Sequence, residues 1–167
     1  MNNTVKRIFL GFSIILPFLI YCVYYYGMMI KNAPYKFSEF QSIVFQYGNG
    51  DSLLNKYDSR TGDYQYVNSH DSLIKMHLRL SKDELLYLHR KAADLGFWNF
   101  PDLELNDSLK AKGINSPHYL IEFNYKRKSK KVLYDAAFDG DPKLNDANKD
   151  LIAEIKKVLD EAEDREK

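Results

Sequence analysis

The chain has a single cysteine among its 167 residues, Cys22, so a disulfide within the chain is excluded. Folds without disulfides occur on both sides of a membrane, and cysteine content therefore does not indicate a compartment. The chain also lacks an excess of charge, because 24 basic and 23 acidic residues leave a formal net charge of +1. Without a broad basic surface, we expect no nucleic-acid partner.

Local catalytic signatures are missing as well. The sequence contains no H-E-x-x-H, no G-x-S-x-G and no glycine-rich phosphate loop, and its four histidines are scattered. We therefore predict no cofactor and no histidine metal site, and we favour a role other than catalysis. An enzyme whose site is assembled from distant residues stays open as an alternative.

One long segment lacks charge altogether: residues 8–30 contain no Asp, Glu, Lys, Arg or His. A helix rises about 1.5 Å per residue, so this length crosses a hydrocarbon core of about 30 Å. We predict a single-pass transmembrane anchor that is kinked at its proline and carries tyrosines at the membrane interface. The residues that define this anchor are Ile8, Pro17, Tyr24, Tyr25, Tyr26 and Ile30.

Three rival readings of residues 8–30 remain. One is a buried helix of a soluble protein, which the length of the run disfavours. A cleaved signal peptide has an apolar core of about 7–15 residues and a small-residue cleavage site, whereas this run is longer and continues into GMMIKNAP. A lipid anchor on Cys22 would have the bulky Tyr21 where a small residue is usual. We favour an uncleaved anchor.

The flanking charges predict the orientation of this anchor. Lys6 and Arg7 precede it without any acid, whereas Lys31 and Lys36 follow it together with Glu39. Positive flanks stay in the cytoplasm, so we expect the rest of the chain to be extracytoplasmic, which is the periplasmic side of the inner membrane in a Gram-negative cell.

Residues 40–160 predict a single α+β domain between a tether at 31–39 and a charged tail at 161–167, with residues 1–7 as an N-terminal tail. Apolar residues alternate over 43–47, 73–80 and 119–125, and again at 132 and 134, which is typical of strands with one wet face. Ser81 and Glu84 form a capping-box pattern before an amphipathic helix that Gly96 ends, and Asp141-Pro142 begins a second helix. We predict an antiparallel sheet with two amphipathic helices on one face, and a long loop at 102–115.

Two charge clusters are candidate sites. The basic turn at residues 126–131 could contact anionic lipid headgroups or an acidic partner, or could be a solvated hairpin tip. Its cations are Lys126, Arg127, Lys128, Lys130 and Lys131. Asp139 and Asp141 are calcium candidates, although helix capping and turn formation explain them with fewer assumptions, because calcium takes about six to eight oxygen ligands.

The run DSLIKMHLRLSKDELLYLHRKAADLGFWNFPD and the later SPHYLIEFNYKRKSKKVLY hairpin resemble a class of small uncharacterised bacterial cell-envelope domains, many of them lipoprotein-like. The resemblance covers about residues 40–159 and lies in the order of elements. It implies an α+β fold, no known reaction and no catalytic residue. Cysteines that often occur early in such domains are missing here.

We therefore predict a membrane-anchored, extracytoplasmic module that binds or scaffolds a protein partner in the cell envelope, through an edge or the wet face of its sheet. The alternatives are an immunity-like inhibitor of a toxin, a binder of lipid or another small ligand in an aromatic cavity, and an enzyme with a dispersed site.

Overall fold

The chain divides into two units, Met1–Tyr35 and Lys36–Lys167. The structure is a computed structural model of the full chain, and it describes residues 3–31, 35–50, 52–111 and 113–166.

The first unit is a single helix, α1 (Asn3–Lys31), which contains Pro17. Large apolar side chains are exposed along it from Phe9 to Tyr26, including the consecutive residues 18–21. Successive helical residues are about 100° apart, so these exposed apolar groups lie on all sides of the helix. Within the part of the chain that the structure describes, no helix combines the length and the apolarity needed to cross a membrane. The transmembrane anchor stays a prediction.

The predicted anchor residues all fall within α1. Pro17 lies inside the helix, and the rings of Tyr24, Tyr25 and Tyr26 are exposed. Tyr25 packs against Tyr21 in a stacked geometry and against Tyr26 edge to face. The side chains of Ile8 and Ile30 lie outside what the structure describes.

The second unit is built on one seven-stranded sheet. Its strands are β1 (Phe40–Asn49), β2 (Ser52–Asp58), β3 (Asp63–Val67), β4 (Leu73–His77), β5 (Leu103–Glu104), β6 (Pro117–Tyr125) and β7 (Ser129–Asp135). They lie in the order β4-β3-β2-β1-β6-β7-β5. The α-helices of this unit are α2 (Lys82–Asp94), α3 (Asp107–Ala111) and α4 (Pro142–Glu166), and short 3-10 helices cover Phe37–Glu39 and Phe97–Asn99. The α+β fold class is confirmed.

The sheet is mixed, so the prediction of a purely antiparallel sheet was wrong. Strand β5 pairs parallel to β7, with Leu103 opposite Leu133 and Glu104 opposite Tyr134. The backbone N–H of Leu133 donates to the carbonyl oxygen of Asp102 at 2.9 Å. Two residues are too few to show the alternation by which a strand is recognised, which is why this segment reads as a loop in the sequence.

Alternation correctly identifies the buried face of the longer strands. Ile43 and Phe45 of β1 are buried opposite Phe123 and Ile121 of β6, and Val132 of β7 is buried beside them. The strand predicted at residues 73–80 ends at His77, and its exposed Lys75 and His77 alternate with half-buried neighbours. The fully buried apolar side chains of these strands thus lie on one face of the sheet.

Helices α2 and α4 cover that face. Lys156 of α4 lies over the rings of Tyr47 and Tyr119, at 4.6 and 5.0 Å from their centroids. His89 of α2 places its Nδ1 2.8 Å from the hydroxyl of Tyr125, which lies on the same side of β6 as Tyr119. Because both helices contact this face, the opposite face carries no α2 or α4 contact; we name it the open face. Its side chains include Gln46, Lys75, Leu120, Glu122 and Lys131.

Helix α4 continues through the residues predicted as a charged tail. It ends at Glu166, and Ala162 is buried near its end. Arg165 forms an ion pair with Glu84 of α2 at 2.6 Å, which holds the last turn of α4 beside the first turn of α2. The residues predicted as a charged tail therefore belong to α4 as far as Glu166.

The predicted caps of α2 are confirmed. The Ser81 hydroxyl accepts from the backbone N–H of Glu84 at 3.2 Å, and the Glu84 carboxylate accepts from the backbone N–H of Ser81 at 2.7 Å. Gly96 follows the helix with φ of 78°, a left-handed conformation that favours glycine.

We predict that Ser81→Ala lowers the free energy of unfolding by about 1 kcal/mol, because the first turn of α2 loses its side-chain acceptor. Urea denaturation measures the change. Ser81→Thr is the matched control, since its hydroxyl preserves the cap, and it should retain most of the stability. Equal losses in both variants would contradict the role of the hydroxyl.

Candidate functional site

Buried polar side chains gather where the β6–β7 hairpin meets the 105–116 segment. A cavity of about 60 Å³ lies there. We name it the polar cleft, and its polar side chains are Asn106, Asn115, Ser116, His118 and Asp135. Strand register explains part of this grouping, because His118 at the start of β6 pairs with Asp135 at the end of β7.

The turn between β1 and β2 closes one side of the polar cleft. The backbone N–H of Gly50 donates to the carbonyl oxygen of Ser116 at 2.9 Å. Gly50 has φ of 56°, and a Cβ there would lie 3.1 Å from the Asn115 side chain. Both the conformation and the close approach favour glycine at this position.

Asp135 is the centre of the polar cleft. Its side chain is nearly inaccessible, and it accepts hydrogen bonds from the Ser116 hydroxyl at 2.5 Å, the Ala137 backbone N–H at 2.8 Å and the Asn106 backbone N–H at 3.3 Å. The Nε2 atom of His118 lies 3.6 Å from the second carboxylate oxygen. Burial alone raises the pKa of Asp135, but these hydrogen bonds outweigh it and hold the pKa below its usual value. Asp135 is therefore ionised at neutral pH.

Asn106 completes the attachment of the 105–116 segment to the sheet. Its side-chain amide donates to the Ala137 carbonyl oxygen at 2.7 Å, and its side-chain oxygen accepts from the Leu109 backbone N–H at 3.1 Å. The second bond caps the short helix α3. Asp135 and Asn106 together attach the chain just after β5, and Asp135 also bonds to Ser116 just before β6.

The polar cleft brings a serine, a histidine and an aspartate together, but not in the order that nucleophilic catalysis requires. The Ser116 hydroxyl donates to Asp135 rather than to His118, so the serine is not held against a base. A carboxylate with a lowered pKa is also a weak general base. The hydrogen bonds of the polar cleft attach Asn106 and Ser116 to Asp135 at the end of β7, which is a structural role.

The structure separates the five cations predicted to act together in the basic turn. Arg127 pairs with Glu39. The ammonium of Lys130 lies 2.6 Å from Asp102 and 2.5 Å from the Phe100 carbonyl oxygen, and its side chain is only 11% exposed. Lys131 is exposed on the open face, opposite Glu122.

The two remaining cations of the basic turn lie in the turn itself. Lys126 is exposed there. Burial lowers the pKa of Lys128. The five cations therefore do not form one uniform charged patch, and contact of this turn with lipid or an acidic partner stays a prediction.

The basic turn lies beside the first residues of the second unit. The backbone N–H of Lys126 donates to the Glu39 carbonyl oxygen at 2.9 Å. Phe37 stacks on Phe40, and it also packs against His89 of α2. Burial lowers the pKa of His89, with a smaller contribution from Arg90. The start of the unit is thus held in place by rings and by the turn.

The calcium candidates have capping and surface positions. The Asp141 carboxylate accepts from the backbone N–H of Lys143 at 2.9 Å at the start of α4. Asp139 is exposed. Across residues 3–31, 35–50, 52–111 and 113–166, no group of three or more His, Cys, Asp or Glu side chains could hold a metal ion.

Three leucines form a second candidate site on the open face. Leu103 of β5 pairs with Leu133 of β7, which pairs with Leu120 of β6, so the three lie side by side across neighbouring strands. We name them the leucine row. A surface cavity of about 390 Å³ lies over it and is also bounded by Asp102, Ser129 and Lys131. Leu103 is 65% exposed.

Sequence reasoning missed the polar cleft and the leucine row. A signal existed for Leu120 alone, because the alternation over residues 119–125 places it on the wet face with Glu122 and Asn124. Leu103 gave no signal, since β5 is so short. The pairing of His118 with Asp135 depends on the hairpin register, which one sequence does not specify.

The aromatic segment that follows α2 packs as predicted. Phe97 is fully buried, and its ring contacts Phe100 and Phe123. Trp98 packs edge to face on Phe123 and Tyr125. The rings therefore belong to the core, which removes the aromatic cavity that a ligand carrier would need at this place.

No protein-family model matches the chain, and a search of curated proteins finds no match. The resemblance to cell-envelope domains therefore stays a prediction.

We predict that Asp135→Asn lowers the free energy of unfolding at pH 7 by about 2 kcal/mol, because the amide turns one acceptor oxygen into a donor that faces other donors. The lowered pKa of Asp135 means that its stabilisation is present above its ordinary pKa of 3.8 and is lost as pH falls through the folded value.

Urea denaturation between pH 3 and pH 7 measures both effects. The free energy of unfolding of Asp135→Asn should fall less than that of the wild type on acidification. Asp139→Asn is the matched control, since Asp139 is exposed. A control that loses as much stability as Asp135→Asn would contradict the role of Asp135.

Proposed function

We propose that the protein is a membrane-anchored, extracytoplasmic binding module whose leucine row meets a protein partner. The observation that carries this proposal is the row itself: three leucines aligned across β5, β7 and β6 on a face that α2 and α4 do not cover. Contiguous exposed apolar surface rimmed by polar groups is typical of protein interaction sites.

The surroundings of the leucine row support a protein partner over a lipid surface. Lys131 and Glu122 face each other next to it, and Asp102 lies at its edge beside Lys130. This rim carries both signs of charge, whereas a lipid-binding surface is uniformly basic. A partner with an apolar side chain flanked by polar groups matches the row.

The anchor part of the proposal is supported by α1. Its apolar side chains are exposed on all sides, and an aqueous surface of this kind is unfavourable by about 25 cal/mol per Å². A hydrocarbon environment removes that cost.

We predict that the wild-type chain stays in the membrane pellet after an alkaline carbonate wash and that Leu16→Lys/Leu19→Lys is released. Each lysine near the middle of a membrane helix costs about 3 kcal/mol. Leu54→Lys is the matched control: it makes the same chemical change at an exposed position of β2 and should stay in the pellet. Release of the wild type would contradict the anchor.

Protease treatment of the cells that express the wild-type chain measures on which side of the membrane the second unit lies. Digestion of the second unit in cells whose inner membrane is intact supports the extracytoplasmic assignment, and protection until lysis contradicts it. Untreated cells provide the loading control.

We predict that a photo-crosslinking residue at position 120 forms an adduct of one defined mass with a protein partner in intact cells. The same residue at position 65 is the matched control, because Gln65 lies on the open face of β3, three strands away from β6. Leu103→Asp should abolish the adduct without disturbing the fold, since Leu103 is exposed.

Equal adducts from both positions, or none from position 120, would contradict the leucine row as the binding site. The mass of the adduct also distinguishes the alternatives. A secreted toxin as the captured protein favours an immunity-like inhibitor, and a lipid or small-molecule adduct favours a ligand binder.

A further inference from the structure

Glu104 and Asn148 form a buried pair between β5 and α4. Both residues are completely inaccessible to solvent. The side-chain amide of Asn148 donates to Oε2 of Glu104 at 2.6 Å and to the Leu144 carbonyl oxygen at 2.9 Å. A fully buried carboxyl is unusual, because an ionised group is strongly disfavoured away from water unless it is paired with a charge.

The hydrogen bonds of this pair leave two oxygens without a donor. They are Oε1 of Glu104 and Oδ1 of Asn148. The two amide hydrogens of Asn148 are already used, and turning its amide around would place its oxygen against the Leu144 carbonyl oxygen. An additional hydrogen on the pair is the simplest source of the missing donor.

The charged groups nearby do not neutralise an ionised Glu104 by direct contact. From β7, Lys130 attracts a negative charge on Glu104, but its ammonium is bonded to Asp102 and to the Phe100 carbonyl oxygen. From the same strand, the Tyr134 hydroxyl donates to Asn145 of α4. Helix α4 otherwise offers Glu104 the neutral amide of Asn148.

We propose that Glu104 is a neutral carboxylic acid in the folded protein and that its proton is the donor that the buried Glu104–Asn148 pair lacks. At pH values where the glutamate is ionised in the unfolded chain and neutral in the folded protein, folding then takes up one proton. The pair is thus a proton-binding site coupled to the attachment of β5 to α4. The protonation of Glu104 is independent of the proposed function, since it depends only on the buried surroundings of Glu104 and Asn148.

Burial raises the pKa of Glu104 from its ordinary value of 4.5 to about 7, although the Asn148 amide and Lys130 act in the opposite direction. A raised pKa in the folded state means that the stabilisation is complete below the unfolded value and is lost as pH rises through the folded value. Stability attributable to Glu104 therefore falls between about pH 4.5 and pH 7.

The direct test is a titration of glutamate side-chain carboxyl carbons by NMR, on the ¹³C-labelled full chain in a mild detergent. One glutamate should titrate near pH 7 in the folded protein, and its signal should be missing in Glu104→Gln. The isosteric amide supplies a permanent donor, so this variant should fold. Glu161→Gln is the matched control, because Glu161 is exposed on α4 and its loss should leave the signal in place.

A second variant keeps the test decisive if Glu104→Gln does not fold. Asn148→Ala removes the side chain that is hydrogen-bonded to the Glu104 carboxyl, so the titration midpoint should move away from that of the wild type. A neutral-range signal that does not move in Asn148→Ala, or the absence of any glutamate that titrates above pH 6, would overturn the proposal.

Unfolding experiments provide an independent readout. From pH 5 to pH 8, the unfolding equilibrium constant of the wild type should rise about ten- to a hundredfold relative to that of Glu104→Gln. Identical pH profiles for the two proteins would also overturn the proposal.

Discussion

The hydrogen bonds to the Asp135 carboxylate are the interaction on which the candidate sites of this protein depend. They hold the 105–116 segment against the end of the β6–β7 hairpin. Asn106, at the start of that segment, is thereby held in place, and the residues just before it pair with β7 as the parallel strand β5. The two residues of β5 then point to opposite faces of the sheet, as in any strand. Leu103 completes the leucine row on the open face, and Glu104 reaches Asn148 beneath α4.

This arrangement explains how the short strand β5 contributes both Leu103 to the leucine row and Glu104 to the contact with α4. A two-residue strand has few backbone hydrogen bonds of its own, so its position must come from its neighbours. Asp102 contributes by accepting from the Leu133 backbone N–H and by pairing with Lys130. The Glu104–Asn148 contact holds the other side. Changes in the protonation of Glu104 therefore act on the same strand that presents Leu103.

The sequence predicted those elements whose signals are local. Ser81 and Gly96 bound α2 because capping and left-handed turns need particular residue types within a few positions. Asp141 begins α4 for the same reason. Alternation identified the buried face of β1, β4 and β6. Features that depend on distant pairing were missed: the parallel direction of β5, the meeting of His118 with Asp135, and the burial of Glu104, a residue type that is seldom fully buried. The basic turn reads as one charge cluster because its pairing with Glu39 and Asp102 depends on the fold.

Hydrogen exchange tests the central claim, the dependence of β5 on Asp135, most directly. The amide of Leu133, which donates to Asp102, reports on the β5–β7 pairing, and the amides of β1 and β6 report on the centre of the sheet. In Asp135→Asn we expect the protection of the Leu133 amide to fall while the centre of the sheet keeps its protection, with Asp139→Asn unchanged at both places. Unchanged protection of Leu133, or a uniform loss across the sheet, would contradict the account.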